Sequence, residues 1–445
     1  MANETKRRPS FAHTTSSRLA PPGARRSVLC FAFSLSIITY LDRICISAAA
    51  PFMMQDLGLS VVEMSIVFSA FTLAYSLFEI PSGWMGDIFG PRRILTRIVL
   101  WWSAFTMLTA IPRSFPSLVA VRFLFGAGEA GAFPNMSRAF SRWFPLVERG
   151  QANGILFLGS RLGGAIAPAL ALLLIRHWGW RASFCVFGAV GLFWALLWYR
   201  WYRDEPSQHP QVGNAELSWI QQDTQQLNST NGVKTDAGER KRIPWGKLVT
   251  SRNLYTICAM YFAFAYGLYF YFTWLPTYLI GVLGFSALAG GLFAGLPLLL
   301  AGMADLLGGW LTDRLARAFG LRIARSWLGF FSFTACAALL LASTQIPGRV
   351  GKAVLIALAL ASADLALSAC WAVCLDVGKS YAGTVTGFMN TFGNLGGFLL
   401  PMVVGYAVTR WNSWTLPFYI SSAIYAMGGL CWLGVDPHAR IDHPE

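Results

Sequence analysis

Eight ionisable residues interrupt otherwise apolar stretches of this chain: Asp42, Arg43, Glu79, Arg122, Glu129, Arg161, Asp305 and Asp364. An arginine in such a setting can grip an organic anion through its planar fork of donors, and a buried carboxylate can take up a proton and release it. No histidine falls inside these stretches, so any proton carrier there is a carboxylate. Asp42 and Arg43 are adjacent, and a helix turns neighbours about 100° apart, so they can face different partners. Arg122 and Glu129 stand two turns apart on one helix face. Gly126, Gly128 and Gly131 keep that helix thin, so another helix or a substrate can come close. Asp364, Ser368 and Trp371 recur at i, i+4 and i+7 as one polar stripe. With Asn390 and Asn394 they can hold the hydroxyls of a polyol. The plainer readings are interhelical ion pairs for the charges and packing for Trp371. A third arginine facing a cavity, Arg161, would favour a dianion.

These residues need elements to place them. Of 445 residues, 55% are apolar and 13% charged, whereas a soluble protein has about 45–50% and about 25%. That excludes a soluble enzyme, a disordered chain and a disulfide scaffold. Windows of about 20 apolar residues give twelve membrane spans: 27–52, 62–84, 94–112, 114–138, 151–175, 182–200, 254–280, 286–312, 325–345, 350–376, 383–409 and 414–435. The expected organisation is an N-terminal tail over 1–26, a six-helix bundle over 27–200 and a central loop over 201–253. A second bundle over 254–435 and a short tail over 436–445 follow. No cleaved signal peptide is read at the N-terminus.

The net charge of +14 is a topology signal rather than a nucleic-acid footprint, because no stretch interleaves basic with aromatic residues. Twenty-six Lys and Arg fall on the side of the termini and central loop against six on the other, which places both termini in the cytoplasm of a multi-pass cell-membrane protein. The eight Cys imply no disulfide framework, and Cys370 and Cys374 have helical rather than zinc spacing. No metal cluster, nucleophile elbow or phosphate loop supports catalysis, so no cofactor and no enzymatic activity are expected.

The two halves repeat. Gly83-Trp84-Met85-Gly86-Asp87 matches Gly309-Trp310-Leu311-Thr312-Asp313, and Leu162-Gly163-Gly164 with Pro168 matches Leu395-Gly396-Gly397 with Pro401. Trp180 and Phe184 match Trp414 and Phe418 at nearly the same offset. Paired six-helix repeats with a site between them near the midplane are the build of rocker-type secondary transporters.

The run Gly83-x-x-x-Asp87-x-x-Gly90-Pro91-Arg92-Arg93 resembles the loop signature of the major facilitator superfamily, with Ile88 in place of a basic residue that Arg314 keeps in the second copy. Tyr40-Leu41-Asp42-Arg43, Phe78 to Gly83, Arg122 to Ala130 and Asn390-x-x-Gly393-Asn394-Leu395-Gly396-Gly397 resemble the anion:cation symporters. That branch includes bacterial hexonate, glucarate and hexuronate transporters, sialin and the vesicular glutamate carriers. The resemblance implies an all-α membrane protein of twelve transmembrane helices in two bundles, carrying a small organic anion with H+, or Na+, as a monomer in the lipid bilayer. It supports substrate contacts at Arg43, Tyr75 and Arg122 and proton coupling at Asp42 and Glu129, while the residues themselves add Ser160, Arg161, Ser368, Trp371, Asn390 and Asn394 as expected substrate contacts. Hexonate-type members carry an amide beside the position where this chain has Ser160-Arg161. Glu79, Asp87, Arg92, Arg93, Arg142, Asp313 and Arg314 read as gate residues at the cytoplasmic ends. The alternative is an anion or phosphate-ester exchanger without net proton coupling, against which the intramembrane acids Asp42 and Glu129 argue.

Overall fold

A backbone inside a bilayer must satisfy its own polar groups, and a sequence this poor in charge does so by winding into helices. The structure is a computed structural model that describes residues 23–221, 250–378 and 382–438. The first half comprises α1 (Arg25–Leu57), α2 (Val61–Phe89), α3 (Pro91–Leu108), α4 (Phe115–Glu129), α5 (Ala132–Trp143) and α6 (Leu146–Trp201). The second comprises α7 (Arg252–Thr273), α8 (Ala287–Phe319), α9 (Leu328–Gln345), α10 (Arg349–Asp364), α11 (Leu367–Gly378), α12 (Ala382–Trp411) and α13 (Leu416–Gly434). Nine helices among the described residues are long and apolar enough to cross a membrane. One of these, over Gln151–Trp201, bends at Gly179 (φ 79°) and holds two crossings. The arginine-bearing α3 and the interrupted α4–α5 pair complete the twelve.

Two expected spans are broken. The apolar run at 114–138 splits into α4 and α5 because Gly131 takes φ +88°, where a Cβ would run into Ser82. Only glycine adopts that conformation without strain, and the break leaves Glu129 at the last turn of α4. The run at 350–376 splits after Asp364, so the anticipated stripe of Asp364, Ser368 and Trp371 is divided between α10 and α11.

The sequence repeat reappears in the turns. Left-handed residues follow α1 (Gly58, φ 64°), α2 (Gly90, φ 82°) and the first crossing of α6 (Gly179, φ 79°). Their counterparts are Gly284 (φ 67°), Gly320 (φ 86°) and Asn412 (φ 48°). Asparagine is one of the few residues besides glycine that tolerates a positive φ.

The bundles meet along two seams, α2 against α12 and α6 against α8. Under the repeat each seam maps onto the other. On the first, Ser69 Oγ donates to the Phe398 carbonyl at 2.8 Å, and Asn390 Nδ2 donates to Glu79 at 3.0 Å. On the second, Gly291 and Gly295 lie against the backbone at Ala169 and Ala165, leaving no room for a side chain. That closure occupies the end of the molecule away from the termini.

Beyond α6 the chain folds back over its own bundle. Glu216 accepts from the backbone N–H groups of Ala24 and Arg25 at 3.1 and 3.0 Å, filling donors that the start of α1 leaves open. Arg25 pairs with Glu148 at 2.5 Å, and Trp219 donates to the same carboxylate at 2.9 Å. His209 is buried beside Trp143 and Trp201.

Candidate functional site

α1 and α4 bring four charges together inside the N-terminal bundle. Glu129 Oε1 accepts from Arg43 Nε at 3.0 Å and from Nη2 at 2.6 Å. The Arg43 guanidinium is enclosed by aromatic faces, 4.9 Å from the ring centre of Tyr75, 5.1 Å from Phe71 and 5.2 Å from Tyr40. Such rings attract a cation while excluding water. Asp42, one residue earlier, turns away toward α3 and accepts from Trp102 Nε1 at 3.1 Å. Arg122 is fully buried, its guanidinium carbon 4.2 Å from the Phe125 ring centre, and its Nε and Nη1 have no acceptor. Buried polar atoms of this kind are costly without a partner, so Arg122 has donors to offer an acceptor. Arg122 and Glu129 do share a face, but the carboxylate is taken by Arg43.

A second cluster spans the bundles. Arg161 of α6 donates from Nε to Asp305 of α8 at 2.8 Å and from Nη2 to Asp364 of α10 at 2.5 Å. The extra positive charge that would favour a dianion is therefore cancelled within the protein. Asp364, engaged by Arg161 and fully buried, is not presented to polyol hydroxyls.

Below this cluster lies a cavity of about 530 Å³ between the bundles, lined by Tyr40, Ser160, Arg161, Tyr261, Ser368 and Trp371 among others. It sits on the termini side of the glycine closure and is of a size that holds a small organic ligand. Ser160 and Ser368 reach it, but their hydroxyls donate to the Phe157 and Asp305 carbonyls. Trp371 is 38% exposed and meets Tyr261 edge-on. Arg43 and Arg122 border a separate void of about 20 Å³ with Tyr269 and Phe272. The ring of Tyr40 stands between the two spaces, against Arg43 on one side and lining the large cavity on the other.

The remaining candidates divide differently from expectation. Asn390 binds Glu79, joining a residue read as substrate-contacting to one read as a gate. Asn394 lines a small pocket on the same seam with Thr72 and Ser76. Arg92 donates to the Tyr199 carbonyl at 2.7 Å and Arg142 to Glu205 at 3.2 Å, both within the N-terminal half. Arg93 is exposed and Arg314 lies over Trp310. The side chains of Asp87 and Asp313 lie outside the described residues. Sequence reasoning passed over Tyr40 as an individual residue, although it stands one turn before Arg43 and so shares its face. It also missed the Arg161–Asp305–Asp364 trio, which joins three helices with no common spacing.

Comparison with known proteins bears on this arrangement. A family description, Major Facilitator Superfamily, matches residues 32–401. The chain is 36% identical to a probable sulfoacetate transporter of Cupriavidus necator, covering 94% of both chains. It is 32% identical to a probable galactarate/D-glucarate transporter of Bacillus subtilis, covering 92% of both. It is also 32% identical to a D-galactonate transporter of Escherichia coli, over 93% of this chain and 96% of that one. Among solved structures, a bacterial homolog of the human lysosomal transporter Spinster superposes with a TM-score of 0.70 at 19% identity, covering 92% and 94%. That likeness concerns the fold.

Proposed function

The chain belongs to the major facilitator superfamily, and on that premise we propose that it is a secondary transporter moving a small organic anion across the membrane together with a proton. The anion is of the sugar-acid class, a hexonate, hexuronate or aldarate, as transported by several relatives; a short sulfonate presents the same kind of oxygen cluster to a guanidinium.

The observation that carries this reading is the contact between Arg43 and Glu129. An anion entering from the large cavity passes Tyr40 and competes with Glu129 for the Arg43 fork, while Arg122 supplies donors that are already open. Displaced from Arg43, an ionised Glu129 would be a buried charge with no partner, which costs several kcal/mol. A proton on Glu129 removes that cost. Anion binding and proton binding thus favour one another, and the physical content of symport is this mutual dependence. Asp42, with Oδ1 buried and unpartnered, is the second acid of the group. The glycine closure at one end and the cavity at the other correspond to an inward-facing state if the termini are cytoplasmic. Rotation of the bundles about the α2–α12 and α6–α8 seams then exposes the site to the opposite side.

The test is uptake by proteoliposomes of radiolabelled galactonate, glucarate and sulfoacetate under an imposed pH gradient. Concentrative uptake of at least one, abolished by collapsing the gradient, is expected. Binding of an aldose equal to that of its aldonate would overturn the anion reading. Uptake indifferent to the gradient but dependent on internal anion would indicate exchange.

A further inference from the structure

The trio at the second seam holds two carboxylates and one guanidinium, so with all three ionised it carries a net negative charge inside the membrane. Arg161 satisfies one oxygen of each acid. Asp305 Oδ1 and Asp364 Oδ2 are buried and lack a donor. Both carboxyl groups are gathered on the one guanidinium, which keeps the two acids close together. Two ionised carboxylates held on one guanidinium can only accept, whereas a proton on either makes that acid a donor. The other titratable groups that face the trio are Tyr40 of α1, Tyr271 of α7, Cys336 of α9, Cys370 of α11 and Tyr425 of α13. Phenols and thiols are neutral at physiological pH, so none supplies the missing positive charge.

We propose that Asp305 and Asp364 form, with Arg161, a second proton-binding site, held jointly by the two bundles and separate from Glu129. The proton comes from water in the adjoining cavity, which Arg161 and Asp305 line directly. It rests between the carboxyl groups and makes the trio neutral. With both acids ionised, Arg161 ties α6 to α8 and α10 through two charged pairs. With the proton bound, one of these becomes an ordinary hydrogen bond, so the protonated form lets the bundles part more readily on this seam. That last role rests on the transport reading above; the site itself does not.

Infrared spectroscopy of the purified protein in nanodiscs reads the site without any substrate, so its result is independent of the anion reading. At neutral pH the wild type should show the carbonyl stretch of a protonated carboxyl. Asp305→Asn and Asp364→Asn each leave one acid paired with Arg161, and each should lose one carboxyl's worth of that band. Arg161→Gln leaves two acids with no cation and should retain or intensify it. Asp56→Asn, which removes an exposed acid of α1 paired with Arg181, should leave it unchanged and controls for the loss of an aspartate. A band of wild-type size in both Asp→Asn variants, or its loss in Arg161→Gln, would overturn the proposal.

Discussion

Glu129 receives both of its hydrogen bonds from Arg43 on a single oxygen, Oε1, while Oε2 is buried without a donor. The acid occupies the guanidinium without saturating it. A ligand with two oxygens makes better use of the same fork, because the paired geometry of carboxylate and guanidinium is where the strength of such contacts lies.

That asymmetry separates binding from coupling. Glu129→Gln imitates the protonated acid, so substrate counterflow between loaded membrane faces should persist while pH-driven accumulation is lost. Side-by-side counterflow and uptake assays in proteoliposomes check this. Surviving accumulation would transfer the coupling role to Asp42.

Arg43→Lys keeps the charge and discards the planar fork. The variant should insert and fold, yet bind its anion about tenfold more weakly, roughly 1.4 kcal/mol, as measured by ligand-dependent thermal shift. An unchanged affinity would place recognition at Arg122 instead.

Gly131→Ala forces a side chain into a left-handed turn against Ser82. A loss of about 1–3 kcal/mol is expected from the backbone strain alone, seen as a lower unfolding temperature in detergent. Gly154→Ala meets no atom within 4 Å and should be neutral or slightly stabilising, since alanine is the better helix former.

His209 predicts a pH effect outside the membrane. Its Nδ1 accepts from the Gln211 N–H at 3.2 Å, which leaves Nε2 to donate to the Trp201 carbonyl at 3.1 Å. Burial pushes the imidazole below its ordinary range. An unfolded histidine titrates near about 6.5, so the stabilisation is complete above that pH and is lost as pH falls through the lower, folded value. Hydrogen exchange over residues 202–212, corrected for its intrinsic rate, should therefore accelerate in acid. His209→Phe should abolish that dependence.

Helix number and the repeat were legible because each crossing needs its own apolar run and each turn its own punctuation. The charged positions were legible because bilayer depth makes every one of them conspicuous. Their partners were not. Periodicity places Arg122 and Glu129 on one face but says nothing of which residue on α1 stands opposite, so the Arg43–Glu129 contact had no sequence signal. Asp364 shows a further limit of periodicity. Its spacing to Ser368 and Trp371 assumes an unbroken helix, and the turn after Asp364 removes that assumption. Arg161 reads as spare positive charge in the sequence, because the two acids that meet it come from the other half of the chain.

The N-terminal cluster of Asp42, Arg43, Arg122 and Glu129 contains two acids and two bases, and its formal charge is zero when all are ionised. This has a consequence for voltage. Moving one elementary charge through a potential of 100 mV is worth about 2.3 kcal/mol. A binding site that is neutral when empty returns across the membrane without working against the field, and a monovalent anion accompanied by one proton is equally indifferent to it. A divalent anion with a single proton would carry one uncompensated negative charge against an interior that is already negative. Such an anion would need a second proton to enter without electrical work.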